Sequence, residues 1–341
     1  MSNPSSISSS KSPNEARHHS QWALHRAITP KLVGILLLVF IALAWSAKNT
    51  ELDRAAIETG QAIVALTGAT DSKVLDSAGR FLDDAFPFTF ESSIEVSRID
   101  NFDRDSLPLF SRIESRETRE YDAFTETYLT ETKEYLVNPI GYLLKVLAKM
   151  WESIEMGFWG TVLSVAISIP LGVLGAKNYT PNKLVYTGAR TILGFHRAMP
   201  ELIIALFFVL MYGFGPIAGI FALAMHTSGV LGKFFSDEIE NAPEGPQAAL
   251  KASGAGSLKV LRFAVFPQVF PAYVAYVQYI FERNIRTATI LGMVGAGGIG
   301  MELKGRWDLF DYSHVSTILL VIFITVMTLE VVSQRIRGRS L

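Results

Sequence analysis

The sequence predicts an all-α, polytopic membrane protein with about six transmembrane helices, and three observations carry that expectation. Hydrophobic residues make up 49% of the 341 positions. They gather into long apolar blocks instead of recurring at the helical or strand period, which favours a bilayer as solvent. Basic residues outnumber acidic ones in the N-terminal arm, in a short turn at Lys177–Lys183 and at the C-terminus, the pattern of cytoplasmic segments. The chain has no cysteine, which excludes disulfides, thiolate metal sites and a cysteine nucleophile.

Taken in order, residues 1–31 are polar and serine-rich, with Lys11, Arg17, Arg26 and Lys31 against Glu15, and read as a disordered basic cytoplasmic arm. Residues 32–47 form the first transmembrane helix. A basic stretch before an apolar block also fits a signal peptide, but an uncleaved anchor is the better reading, because the later spans need a cytoplasmic start. Residues 48–155 carry more acidic than basic side chains and read as an extracytoplasmic segment. Within it, 64–82 and 142–156 have apolar residues at helical spacing, suggesting amphipathic surface helices, and 91–135 reads as a charge-rich exposed insertion.

Residues 156–333 form the membrane core of five spans. Block 156–176 is long enough to cross about 30 Å of hydrocarbon. Block 184–214, interrupted by Arg190, Arg197 and Pro200, reads as one kinked or broken span. Block 215–235 is a Gly/Ala-rich span, 236–267 is a polar loop without a span, and 269–291 spans again with charges inside it. Residues 292–311 are glycine-rich and read as irregular. Residues 314–333 are the last span, followed by a basic cytoplasmic tail, 334–341. Six spans place both termini and the 236–267 loop on the cytoplasmic side, with 48–155 and the glycine stretch outside.

The inner loop contains Ala248-Ala249-Leu250-Lys251-Ala252-Ser253-Gly254 and, further on, Ala264-Val265-Phe266-Pro267. This reads as a helix ended at a glycine cap, a turn, and a second helix marked by proline. Held between two spans, such a unit transmits force from a cytoplasmic partner; the plainer reading is an ordinary loop.

The loop resembles the EAA loop of ABC importer permeases, with Ala248 and Ala249 in the Glu-Ala-Ala region and Gly254 and Pro267 at the right spacing. Ala248 stands where that family has glutamate, Ala264 replaces isoleucine and Phe266 replaces leucine. Two further strings resemble the phosphonate/phosphite type. One is Arg197-Ala198-Met199-Pro200-Glu201-Leu202. The other is Asn284-Ile285-Arg286 followed by Leu291-Gly292-Met293-Val294-Gly295-Ala296-Gly297-Gly298-Ile299-Gly300. His226-Thr227-Ser228-Gly229-Val230-Leu231-Gly232-Lys233 is similar too.

The resemblance implies a type I ABC importer permease core in the bacterial inner membrane. It implies a homodimer of this chain, two ATPase subunits, an extracytoplasmic solute-binding protein and a phosphorus oxyanion as cargo. No cofactor is bound directly; ATP belongs to the partner ATPase, no enzyme activity is expected of this chain, and no nucleic acid is involved. A methionine or other amino-acid permease is the nearest alternative. An ion-gradient transporter and a membrane sensor are the rivals from other classes.

Charges inside spans are costly and mark a path, a gate or a partner contact. Glu282 and Arg286 are spaced i,i+4 and can pair, which leaves Arg283 as the unpaired charge. Arg283 or Arg286 lining the solute path stands against a structural ion pair or a docking contact. Arg197 and Glu201 are also i,i+4 and bracket Pro200, which suggests a hinge or gate, or a kink that only improves packing. His226 reads as a core or interface histidine. Gly295, Gly297 and Gly300 fit the dinucleotide fingerprint, but no strand or βαβ unit surrounds them. With Gly298 they read as a close backbone turn. The Gly229–Lys233 string is too short for a phosphate-binding loop.

Overall fold

The structure is a computed structural model that describes residues 30–66, 71–100, 102–104, 107–122 and 127–340. The expected basic arm, with His18, His19 and His25, lies almost wholly outside the described residues. The chain divides into two compact units, Met1–Arg80 and Phe81–Leu341.

In the first unit, α1 (Pro30–Asn49) is apolar along its length and buries none of its residues. It is long enough to cross a membrane. Glu51, in the left-handed region at φ 54°, turns the chain into α2 (Leu52–Ala65). The single helix expected over 64–82 is instead the end of α2 and a separate helix, α3 (Lys73–Ala85), whose last residues belong to the larger unit.

The larger unit opens with a feature the sequence did not suggest. Strands β1 (Ser92–Glu95), β2 (Arg112–Asp122) and β3 (Thr127–Asn138) form an antiparallel sheet in the order β1-β3-β2 where a charge-rich insertion was expected. Its apolar content includes a cross-strand row, Ile94–Leu136–Ile113, beside the fully buried Val137, and at the far end Tyr121 opposite Tyr128. The remaining rows are charged and are laced by Arg112–Glu114 (2.6 Å) and Arg116–Glu114 (2.9 Å).

Two residues after β3 the chain enters α4 (Gly141–Leu174), a single 34-residue helix. It unites the surface helix expected over 142–156 with the span expected over 156–176. Then follow α5 (Lys183–Ala198), α6 (Glu201–Tyr212), α7 (Pro216–Asn241), α8 (Glu244–Ala252), α9 (Ser257–Val260), α10 (Phe266–Gly292), α11 (Gly298–Asp308) and α12 (Tyr312–Ser340). Helix α11 occupies the stretch expected to be irregular. Helices α5 and α6 meet at a 90° bend and count as one broken span; with it the described residues supply up to six spans.

Helix α7 is central and packs on α4, α5, α6 and α10. The reason is visible on α4, where Gly157, Gly160, Thr161, Ser164, Ser168 and Gly172 are buried along one side at three- and four-residue spacing. Small residues let helix backbones approach closely where lipid supplies no hydrophobic drive. A methyl added at Gly160 would press into Leu223, and one at Gly172 into Phe235. Ser168 Oγ donates across the seam to the Ser228 carbonyl at 3.0 Å.

Candidate functional site

The break at Met199–Pro200 organises the site. Proline has no amide hydrogen and restricts the residue before it to extended backbone, and Met199 has φ −78°, ψ 125°. The helix stops and restarts at right angles, so the i,i+4 spacing of Arg197 and Glu201 yields no pair. Glu201, at the first turn of α6, instead bonds Arg283 of α10 and lies 3.2 Å from His226 Nε2 of α7. Arg283, expected to be unpaired, is therefore paired across helices. His226 Nδ1 sits 2.9 Å from the Met199 carbonyl oxygen. A carbonyl can only accept, so this nitrogen carries the hydrogen and Nε2 faces Glu201 and Arg283. Glu282 and Arg286 do pair, at 3.1 Å, as their spacing predicts.

Depth follows from helix geometry. Arg283 lies nine residues before the end of α10 and His226 ten residues after the start of α7. At 1.5 Å per residue both are about 15 Å in from that end, half of a hydrocarbon core of about 30 Å. The trio is partly open, with the Arg283 side chain 32% and that of Glu201 23% exposed. An open charge at that depth needs a water-filled cavity or a partner subunit beside it.

Arg197, released from Glu201, stands on the other side of the bend. It lines a cleft of about 140 Å³ with Arg190, Leu193, Gly194 and Lys233. Arg190 donates to Asp237 (3.1 Å), Glu240 (2.9 Å) and the Gly175 carbonyl (2.8 Å). Lys233 bonds Asp237 at 2.6 Å.

The glycine string is a backbone knot. Gly295, Gly297 and Gly298 have φ of 95°, 83° and 70°, which side chains other than glycine rarely adopt. The Gly295 carbonyl accepts from the Gly215 amide at 3.0 Å, tying the turn before α7 to the turn after α10. A methyl at Gly300 would overlap the Thr289 carbonyl oxygen. Two α4 side chains take the free amides at the start of α11: Glu152 accepts from Gly298 N at 3.0 Å and Ser153 from Ile299 N at 2.9 Å. Beside the knot, Glu302 bonds Lys145 and Arg306, and Asp311 bonds Arg306 (2.9 Å) and His314 (2.7 Å). Burial pushes the Glu302 and Asp311 carboxyls up, but these cations outweigh it and hold both below the usual carboxylate range.

At the opposite end, α8 stops at the expected glycine. Gly254 has φ 83°, its amide bonds the Lys251 carbonyl, and the Ala255 amide bonds the Leu250 carbonyl, the two bonds of a Schellman cap. The helical run then continues from Ser257 through a π turn, Leu261–Val265, so Pro267 lies nearly three turns inside a continuous 36-residue run instead of opening it. Gln247, buried on α8, donates to the Ala242 (3.0 Å) and Pro243 (3.2 Å) carbonyls and accepts from Tyr179 OH at 2.7 Å. Ala248 and Lys251 line a polar hollow of about 590 Å³ with Asn178, Glu240 and Glu244. The methyl of Ala248 thus borders open space where the resemblance expects a carboxylate. Gln247, Tyr179 and Lys233 were not singled out from the sequence. Glu201 and Arg283 offered one usable signal, as opposite charges in two apolar spans.

A bundle with a span broken half-way across, charges gathered at the break and a short capped helix standing off one end is that of a polytopic transport permease. The chain belongs to the binding-protein-dependent transport system inner membrane component family, whose pattern matches residues 168–339. The putative phosphite transport system permease HtxE of Stutzerimonas stutzeri is 47% identical over 258 residues, 74% of this chain and 99% of that protein. The phosphite transport system permease PtxC of the same organism is 40% identical, over 54% of this chain and 68% of its own length. The phosphate-import permease PhnE of Mycolicibacterium smegmatis is 41% identical, over 55% of this chain and 35% of that protein. Among solved structures, a selenomethionine crystal form of the inward-facing methionine ABC transporter MetNI aligns with a TM-score of 0.50 at 22% identity, covering 58% of this chain and 98% of that one. That likeness shows the fold.

Proposed function

We propose that this chain is the membrane-spanning subunit of an ATP-driven importer of a small phosphorus oxyanion: phosphonate, phosphite or phosphate. The observation that carries the reading is the 47% identity to a phosphite permease over nearly that protein's whole length. Methionine permeases fall to 22%. In this reading the protein sits in the bacterial inner membrane with both termini in the cytoplasm. An extracytoplasmic binding protein delivers solute to the glycine-knot end, and two ATPase subunits engage α8 and Ala248, Ala249 and Gly254 at the other end. ATP is bound by those subunits and not by this chain. Pro200, Glu201 and Arg283 form a gate half-way across, closed by the ion pair, with Arg286 one turn nearer the outer mouth and paired back to Glu282. Arginine suits a tetrahedral oxyanion because its planar fork can hold two oxygens.

The second permease is a copy of this chain, related by a twofold axis. A paralogue is the other reading, favoured by the fact that HtxE and HtxC, both similar to this chain, come from one organism. Pull-down between two differently tagged copies separates the two: recovery supports the homodimer, and recovery of a paralogue alone overturns it.

The functional test is uptake in phosphorus-starved cells lacking the chain, with and without it restored, and with an inactive ATPase. Labelled methylphosphonate, phosphite, phosphate and methionine are offered. Restored uptake of a phosphorus oxyanion that vanishes with the inactive ATPase is expected. Uptake of methionine alone, or uptake indifferent to the ATPase, overturns the reading.

A further inference from the structure

The cleft between α5 and α7 carries a charge that the chain leaves unbalanced. It is lined by three cations, Arg190, Arg197 and Lys233. Two carboxylates face them: Asp237 bonds both Arg190 and Lys233, and Glu240 bonds Arg190. Three against two leaves one positive charge, and it falls on Arg197, which forms no ion pair among the described residues. The cause is the right-angle break at Pro200. On a continuous helix Glu201 would lie one turn from Arg197; the bend sends the carboxylate to Arg283 and leaves the guanidinium in the cleft.

The cleft is open on one side: Arg197 is exposed and the Lys233 side chain is 40% exposed. Lys233 lies eight residues before the end of α7, about 12 Å in from that end. Arg197 lies seven residues beyond Arg190 on α5, about 10 Å closer to the break. An unbalanced guanidinium open within a span needs water, a partner subunit or an anion beside it, and the three converging cations favour the anion. The cleft volume of about 140 Å³ equals that of four or five waters at about 30 Å³ each, room for a small tetrahedral anion.

Resting on the function proposed above, we infer that this cleft is a second oxyanion site on the transport route. Here Arg197, backed by Lys233 and Arg190, receives the phosphorus oxyanion after it has passed Arg283. The pairing of Arg190 and Lys233 with Asp237 keeps the site weakly positive, so the anion is held and then leaves, as conduction through successive sites requires. The shared chemistry is a tetrahedral phosphorus oxyanion, whose source is either the transported solute or a lipid headgroup.

The test uses the full importer. Arg197→Gln is expected to lower the maximal uptake rate of labelled methylphosphonate about tenfold, the scale of losing a charge-assisted contact. The half-saturation concentration, set by the binding protein, stays unchanged, and Arg197→Lys restores most of the rate. Permease and ATPase purified together in phosphatidylcholine nanodiscs are expected to broaden the phosphorus resonance of added methylphosphonate, and the Arg197→Gln complex is not. Equal membrane yield and equal melting of the two complexes exclude a folding defect. Should Arg197→Gln fold poorly, Arg197→Lys against Arg197→Met in the broadening measurement decides, and equal broadening overturns the inference. Uptake by Arg197→Gln equal to that of the unsubstituted chain overturns it too. Phosphatidylglycerol that co-purifies with the unsubstituted complex but not with Arg197→Gln, without broadening of methylphosphonate, makes the ligand a lipid and overturns the solute site. Failure of the unsubstituted importer to take up any phosphorus oxyanion overturns the earlier functional reading instead.

Discussion

The two ends of the core are held by different means. At the glycine knot, backbone meets backbone, Gly215 on Gly295 and Gly292 against Gly300, and side chains from α4 and the Glu302 network only brace that contact. At the α8 end, long side chains do the holding, with Gln247 and Tyr179 fixing α8 and Arg190 joining α4, α5 and α7. Backbone contacts at van der Waals distance have one geometry. Long side chains can exchange partners at the cost of one or two hydrogen bonds. The contrast teaches which end is fixed and which end is adjustable, and it suits the drive from the α8 end proposed above.

The sharpest way to break the comparison is Gly300→Ala. The added methyl meets the Thr289 carbonyl oxygen, a backbone group with nowhere to go. Overpacking of this kind costs about 1–3 kcal/mol or more, so the expected outcome is loss of monodisperse protein on size exclusion in detergent. Normal yield and melting would show that the knot yields after all.

Gln247→Leu ranks next. It leaves the Tyr179 hydroxyl without its acceptor and the Ala242 and Pro243 carbonyls without their donor. A loss of about 1–3 kcal/mol is expected, smaller than a collapse of the fold. Solute-stimulated ATPase activity should persist while uptake falls. Unchanged uptake would remove α8 rigidity from the argument.

The smallest effect is a pH dependence beside the knot. The Glu302 and Asp311 carboxyls have lowered folded-state values, so their contribution to stability is present above the usual carboxylate range near 4. It is lost as pH falls through the lower folded-state values. Asp311→Asn is therefore expected to melt below the unsubstituted protein at pH 7, with the gap closing under acid conditions. A gap that widens on acidification contradicts the assignment.

What could be read from the sequence follows the range of the interaction. Spans are set by local composition, and the helix end at Gly254 by one residue's freedom at positive φ, so both were legible. The sheet was not: β2 reads Arg-Ile-Glu-Ser-Arg-Glu-Thr-Arg-Glu-Tyr-Asp, mostly polar on both faces, and the row of its Ile113 is completed only by Ile94 and Leu136 on other strands. The site was legible in its residues but not in its pairs. Spacing along a helix is the only proximity a sequence displays, and it paired Glu282 with Arg286 correctly. It failed for Arg197 and Glu201 because Pro200 announces a disturbance without its angle. The bond from Glu201 to Arg283 joins positions 82 residues apart, beyond any local pattern.

The continuity of α4 gives the molecule a lever. Thirty-four residues make a rod about 50 Å long, and its only internal proline, Pro170, lies close to the α5 end. The rod leaves the membrane core and joins the β-sheet two residues after β3. A tilt of about 5° where α4 meets the Arg190 network would swing the other end by about 4 Å. On the function proposed above, one spin label on the sheet and one on α7 would register nucleotide turnover by the partner ATPase as a change in distance.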